Sequence, residues 1–233
     1  MPRARTINQD DWQTAADQQQ GSGCLSLYSL PILAVALITC LLTALSFNAP
    51  IPTSAQSANT ATSSTSSTSL SPIFTREVQH WGNDIVRWAT AASVDPNLAA
   101  VVMQIESCGD PRATSSAGAM GLFQVMPFHF YFGENPYNPE TNALRGLGYL
   151  SRSLQTSHGD ARLALAGYNG GIGVIARGEW TWSAQTKRYV LYGAPMYEDA
   201  RAGLTQSTYI QDWYTKYGAS LCNQAARRLG ISP

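Results

Sequence analysis

Apolar residues recur at helical spacing through most of the chain after residue 72. Val78, Trp81, Ile85, Trp88 and Ala89 follow at three-to-four spacing and predict a helix over 76–92. Asp95 followed by Pro96 supplies an N-cap and a proline at the first helical position. The stripe Leu98, Val101, Val102 and Ile105 then has the i, i+3, i+4, i+7 period of a helix face. Asn138-Pro139 repeats the cap-then-proline signal ahead of Leu144, Leu147, Tyr149 and Leu150. Asp160 caps a predicted helix over 161–168, and 184–201 and 207–229 read as two more. Strand-type alternation is scarce, so the expected class is mainly α.

The pattern before residue 72 is different. Residues 1–23 are polar without a hydrophobic period and read as a flexible, cytoplasmic tail. Residues 24–47 are almost wholly apolar and long enough, at about 20 residues, to span a bilayer core as a helix. They read as a transmembrane signal anchor, with Arg3 and Arg5 on the inner side and all that follows on the outer, cell-wall side. The competing readings are a cleaved signal peptide processed near Ala44-Leu45-Ser46, lipidation at Cys40, and a buried core helix. Residues 48–72 are rich in Ser, Thr, Ala and Pro and form a linker, because such a segment buries too little apolar surface to offset chain entropy. Residues 73–233 are the globular domain.

Composition sharpens this division. Only 13% of the 233 residues are charged, against about 25% in typical soluble proteins. No Asp, Glu, Lys or Arg occurs between Asp17 and Arg76. With 15 basic and 15 acidic side chains the net charge is zero, which gives no general attraction to nucleic acid. Cys108 and Cys222 are the one cysteine pair of the outer domain. An even count outside the cell favours a disulfide; two free buried thiols are the alternative.

Glu106 is the central candidate. Measured at about 100° per residue from Leu98, it lies at about 80°, flanking the buried face. Ser107-Cys108-Gly109-Asp110-Pro111 must end the helix. Partial burial and the negative end of the helix dipole both oppose ionisation, which suits a general acid near neutral pH. On helix geometry alone, a solvated last-turn glutamate is the favoured reading. Residues 116–127 read SAGAMGLFQVMP, a glycine-rich loop without the ending of a phosphate loop. Residues 165–171 read LAGYNGG, which places Tyr168 and Asn169 where a helix stops.

In this order, VDPNLAAVVMQIES, DPRATSSAGAMGLFQVMP, NPETNALRGLGYL and LALAGYNGG resemble the lytic transglycosylase (SLT) domain of glycoside hydrolase family 23, the group that includes goose-type lysozymes. The resemblance covers about residues 90–180 closely. After 180 it thins to TKRYV, where family members often carry Glu-Thr and this chain has Ala184-Gln185-Thr186. It implies a lysozyme-like helical domain that cleaves the β-1,4 bond between N-acetylmuramic acid and N-acetylglucosamine in peptidoglycan. Glu106 would be the catalytic acid and then base. Ser107 would polarise or position it, and Tyr189 would stand near it. Gly118, Met120, Gln124, Tyr168 and Asn169 would bind the saccharide, with Gln124 and Asn169 suited to acetamido groups.

Most glycosidases need two carboxylates. Asp110 reads as an Asx-turn residue before Pro111, and Glu134, Asp160 and Glu179 fall in loops or caps. One carboxyl agrees with the transglycosylase chemistry that the resemblance implies, in which the substrate's own acetamido and C6 hydroxyl groups replace the partner and the water. A water-using muramidase and a non-catalytic peptidoglycan-binding module are the alternatives. His80, His129 and His158 lack metal spacing and read as surface or cap residues. Trp180 and Trp182 suit either a sugar platform or the core, and Tyr192, Tyr197, Tyr209, Trp213 and Tyr214 read as core. No cofactor, metal, nucleic acid or oligomer is expected. The partners are peptidoglycan strands and, through residues 24–47, the membrane.

Overall fold

The computed structural model describes residues 69–231. The tail, transmembrane anchor and most of the linker expected over residues 1–68 fall outside the described residues. Among the described residues eight α-helices follow in order: α1 (Arg76–Gln79), α2 (Gly82–Ala91), α3 (Pro96–Glu106), α4 (Pro139–Thr156), α5 (Ala161–Gly170), α6 (Ala184–Arg201), α7 (Thr208–Trp213) and α8 (Ala219–Leu229). Among the described residues the only β pairing is two isolated bridges, Thr114 with Met120 and Met120 with Val125. No described helix is long and apolar enough to cross a membrane.

α3 is the central element. It is apolar on nearly every side, and residues 97–105 are all buried. A helix without a polar face has no stable place on a surface. It packs against α2 and α6, while α5 packs against α4 and α6. The caps read from the sequence are made. Asp95 accepts from Asn97 N at 2.8 Å, Asn138 from Thr141 N at 3.0 Å and Asp160 from Leu163 N at 2.9 Å. Each satisfies a first-turn N–H that has no helical partner.

Several expectations are corrected. The helix over 76–92 is two, because the chain turns at His80 and Trp81, and the Trp81 indole donates to Gly109 O at 2.9 Å. The helix over 207–229 is α7 and α8 joined by a π-helical turn, Tyr214–Gly218. A Cβ at Gly218 would lie 2.4 Å from the Trp213 ring, so only glycine admits that ring. Leu144 is 66% exposed and Tyr209 41% exposed, so neither belongs to the core, while Tyr192, Tyr197 and Trp213 do. The Cys108–Cys222 disulfide is present, with Cα atoms 5.0 Å apart, and ties the end of α3 to α8.

Candidate active site

α3 ends at Glu106 because the next residues leave helical geometry: Cys108 and Gly109 have φ of 50° and 83°. A Cβ at Gly109 would stand 2.7 Å from Glu77 O, so that turn requires glycine. Ser107 is fully buried, and its hydroxyl donates to Leu122 O at 2.6 Å and accepts from Gly109 N at 3.1 Å. Ser107 ties the end of α3 to the glycine-rich loop, and so fixes where Glu106 stands.

That loop is held from within. Gly121, at φ 76°, has no room for a side chain, since a Cβ would meet Asn142 Nδ2 at 2.3 Å. Asn142, fully buried on α4, accepts from Phe123 N at 2.8 Å and donates to Met120 O at 2.7 Å and Pro136 O at 2.9 Å. Gln124 donates to Gly121 O at 2.9 Å and Ala113 O at 3.2 Å. Its amide donors thus close the loop and are not offered to an acetamido group, which narrows the role expected for it. Gly118 serves the turn made by its N–H to Ser115 O, and Met120 lies in the bridges; neither lines the cavity described below.

Glu106 is half-buried. Loss of solvent pushes its carboxyl up from the ordinary 4.5 to about 8, against a smaller opposing effect of Tyr189. Tyr189, on α6, is buried, and its hydroxyl makes no hydrogen bond of normal geometry, so the contact with Glu106 is a long or bent one. Tyr168, on α5, donates to Phe123 O at 2.7 Å. Burial first, and then the nearness of Glu106, hold its phenol well above the usual tyrosine range. Three helices thus bring Glu106, Tyr168 and Tyr189 together.

A cavity of about 480 Å³ opens beside this group. Tyr168, Asn169, Gln124, His129, Tyr149 and Trp182 are among its walls, with Gln185 and Thr186 from the start of α6. Glu106 and Tyr189 are not wall residues; Tyr168 connects them to it. Asn169 lies inside α5, whose end carries the positive φ at Gly171 instead. Its Oδ1 accepts from the Thr186 hydroxyl at 3.0 Å, and that hydroxyl meets Ser183 Oγ at 2.9 Å. Accepting from Thr186 fixes the amide and leaves its N–H groups as the donors of a cavity wall residue.

No Asp or Glu lines the cavity. Asp110 accepts from Arg112 N at 2.9 Å, as an Asx turn requires, and pairs with Arg228 at 3.0 Å. Glu134 pairs with Arg145, Glu179 pairs with Arg162, and Asp160 caps α5. Glu77 stands near Cys108 and Cys222, but those sulfurs form the disulfide and offer no thiolate to a metal.

Sequence reasoning missed four residues. His129 is half-buried and lines the cavity between Phe128 and Tyr149, with ring centroids at 4.5 and 4.9 Å. A lone histidine carries no local signal for such a place. Thr186 and Gln185 were visible only as a departure from the expected Glu-Thr. Asn142 lies in NPETNALRGLGYL, one of the segments that carry the resemblance, and that segment is the available signal. Trp182 is buried and donates to Val174 O at 3.1 Å, whereas Trp180 is 82% exposed.

Residues 84–190 match the family model of the transglycosylase SLT domain. A protein of Enterobacteria phage PRD1 named Transglycosylase is 38% identical over 111 residues, which are 47% of this chain and 40% of that relative. The chain thus spans less than half the length of that relative. Among solved structures it is similar to an inactive mutant of the lytic transglycosylase Slt from Pseudomonas aeruginosa, at 20% identity and a TM-score of 0.38, covering 64% of this chain and 24% of that one. It is also similar to the 70 kDa soluble lytic transglycosylase SLT70 from Escherichia coli, at 22% identity and a TM-score of 0.38, covering 60% and 25%.

Proposed function

Since residues 84–190 are a transglycosylase SLT domain, we propose that this chain is a peptidoglycan lytic transglycosylase that uses Glu106 alone as acid and base. The observation that carries this reading is the pairing of one protonated carboxyl with a cavity that has no acidic wall residue. At neutral pH Glu106 holds the proton that a glycosidic oxygen needs as the bond breaks. The oxocarbenium-like centre left on the muramic ring is stabilised by the ring's own acetamido group, so no second carboxylate is called for. Glu106, now charged in a site that disfavours charge, is a strong base. It takes the proton of the muramic C6 hydroxyl as that oxygen closes on C1. The product is a 1,6-anhydromuramic end and a free N-acetylglucosamine end, with no water consumed.

Asn169, held by Thr186, donates to the acetamido carbonyl, and Tyr149 offers a face for a sugar ring. Residues 24–47 anchor the chain in the membrane, with the domain on the cell-wall side.

The test is mass spectrometry of muropeptides released from purified peptidoglycan by the full chain and by Glu106→Gln. Products lighter by one water (about 18 Da) than hydrolytic ones, and lost in the variant, are expected from the proton transfers above. Reducing-end products would replace this reading with a muramidase. Binding of peptidoglycan without products would replace it with a binding module.

A further inference from the structure

The arginines of this domain differ in whether a carboxylate pairs with them. Arg87, Arg145, Arg162, Arg201 and Arg228 each pair with a carboxylate. Among the described residues, no carboxylate oxygen lies within 4.0 Å of Arg152 or Arg177. One of these two is a wall residue of the cavity and the other packs over a wall residue. Arg177 lines the cavity, in the segment between α5 and α6. Arg152 lies 5.4 Å over the ring of Tyr149, a wall residue. Arg76, Arg112 and Arg227 also lack a carboxylate partner, but none of them is a wall residue.

Arg177 is positioned for a ligand. Its Nε donates to Gly173 O at 3.2 Å, which sets the plane of the guanidinium and leaves the terminal nitrogens as a fork. A planar fork of N–H donors matches the two oxygens of a carboxylate. Nothing on the wall cancels this charge. The wall has no acid, Glu179 is neutralised by Arg162, and Glu106 keeps its proton at pH 7. His129 adds no charge of its own at that pH, because burial and then Arg152 hold it below the usual imidazole range.

We propose that Arg177, supported by Arg152, recognises a carboxylate carried by the glycan, so that this cleft selects acidic saccharides over neutral ones of the same length. This rests on the glycan-cleaving reading above. The chemistry has two sources in such a strand: the lactyl carboxylate of a peptide-free muramic ring, and the carboxylates of a stem peptide. A neutral chitin strand has neither.

Calorimetry on the full chain carrying Glu106→Gln, which holds substrate without turnover, separates the cases. The ligands are chitin tetrasaccharide, peptide-free N-acetylglucosamine–N-acetylmuramic acid tetrasaccharide, and the latter with tetrapeptide stems. Arg177→Gln is expected to weaken at least one acidic ligand about tenfold and leave chitin tetrasaccharide unchanged. Arg152→Gln is expected to cost about two- to threefold on the same ligand, and Arg177→Lys to recover part of the loss. Loss on the peptide-free ligand assigns the lactyl group; loss confined to the stem-bearing one assigns the peptide. Equal change on all three ligands, or none, would overturn the proposal while leaving the glycan reading intact. Binding of no ligand by the parent protein would overturn both.

Discussion

Two carboxyl groups four residues apart, Glu106 and Asp110, close the same helix and have opposite fates. Asp110 is the more deeply buried, yet it is fully engaged: it accepts from Arg112 N, from Gln224 Nε2 at 2.8 Å and from Arg228. Glu106 keeps some exposure, but no cation is among the causes that shift it, and it holds its proton to about pH 8. Burial alone does not decide which carboxyl becomes an acid. A paired cation and N–H donors turn a buried carboxylate into a structural tie, while burial whose cost no cation offsets turns a half-buried one into a proton donor.

The sharpest way to break this comparison is Glu106→Gln, which keeps the shape of the protonated acid and removes its proton. Turnover is expected to fall by about 10³-fold. Stability moves the other way. The folded carboxyl binds its proton more tightly than the unfolded one, so stability is fully present below about pH 4.5 and is lost as pH rises through about 8. The variant escapes that loss. Denaturant unfolding should show no difference from the parent at pH 4 and a gain of about 1–4 kcal/mol at pH 9. A variant no more stable at pH 9 would show that Glu106 is solvated.

Asp110→Ala tests the other side. It strands the Arg228 fork, Gln224 Nε2 and Arg112 N around an empty site. A loss of about 2–4 kcal/mol in denaturant unfolding is expected, with the pH dependence of turnover unchanged. A shifted pH profile would mean that the two carboxyls are coupled, and the contrast between them would fail.

What could be read in advance follows the same division between local and distant causes. α3, α4 and α5 were legible because their caps are written within a turn of each N-terminal boundary. Asp95, Asn138 and Asp160 each sit beside the N–H they satisfy. The break at Trp81 was not legible, since its cause is a carbonyl 28 residues away at Gly109. At the site, the position of Glu106 beside the buried face was legible from helix geometry. The engagement of Ser107 by Leu122 O and of Gln124 by Ala113 O was not, because those partners arrive from a loop whose path no period predicts. Leu144 fitted the stripe yet lies outside the core, a reminder that a period fixes a helix but not the width of the face that is covered.

Tyr189→Phe sharpens the account of Glu106 itself. Burial raises the carboxyl and Tyr189 opposes that rise. Removing the hydroxyl therefore removes an effect that favours the charged form. The alkaline limb of kcat/KM, expected near pH 8 in the parent, should move to higher pH, by about half a unit to one unit. The rate at neutral pH should fall by up to about tenfold as the departing charge loses its donor. An alkaline limb that moved to lower pH would reverse the sign assigned to this contact.

The smallest expected effect falls on a residue that touches neither carboxyl. The Thr186 hydroxyl donates to Asn169 Oδ1 at 3.0 Å and meets Ser183 Oγ at 2.9 Å. Replacing it by Val keeps the volume and removes that donor, while the Ser183 side chain still caps α6 through Thr186 N at 3.0 Å. Asn169 is then free to rotate its amide, and half of its orientations present an oxygen where the cleft needs an N–H. If Asn169 recognises the acetamido carbonyl, Thr186→Val should raise KM about two- to fivefold with kcat nearly constant, because uniform binding is lost and the proton chemistry at Glu106 is not. Thr186→Ser, which restores the hydroxyl, should recover the parent KM. An effect on kcat alone would place Asn169 in the transition state instead, and would extend the contrast between a held proton and a held charge to a group outside the carboxyl pair.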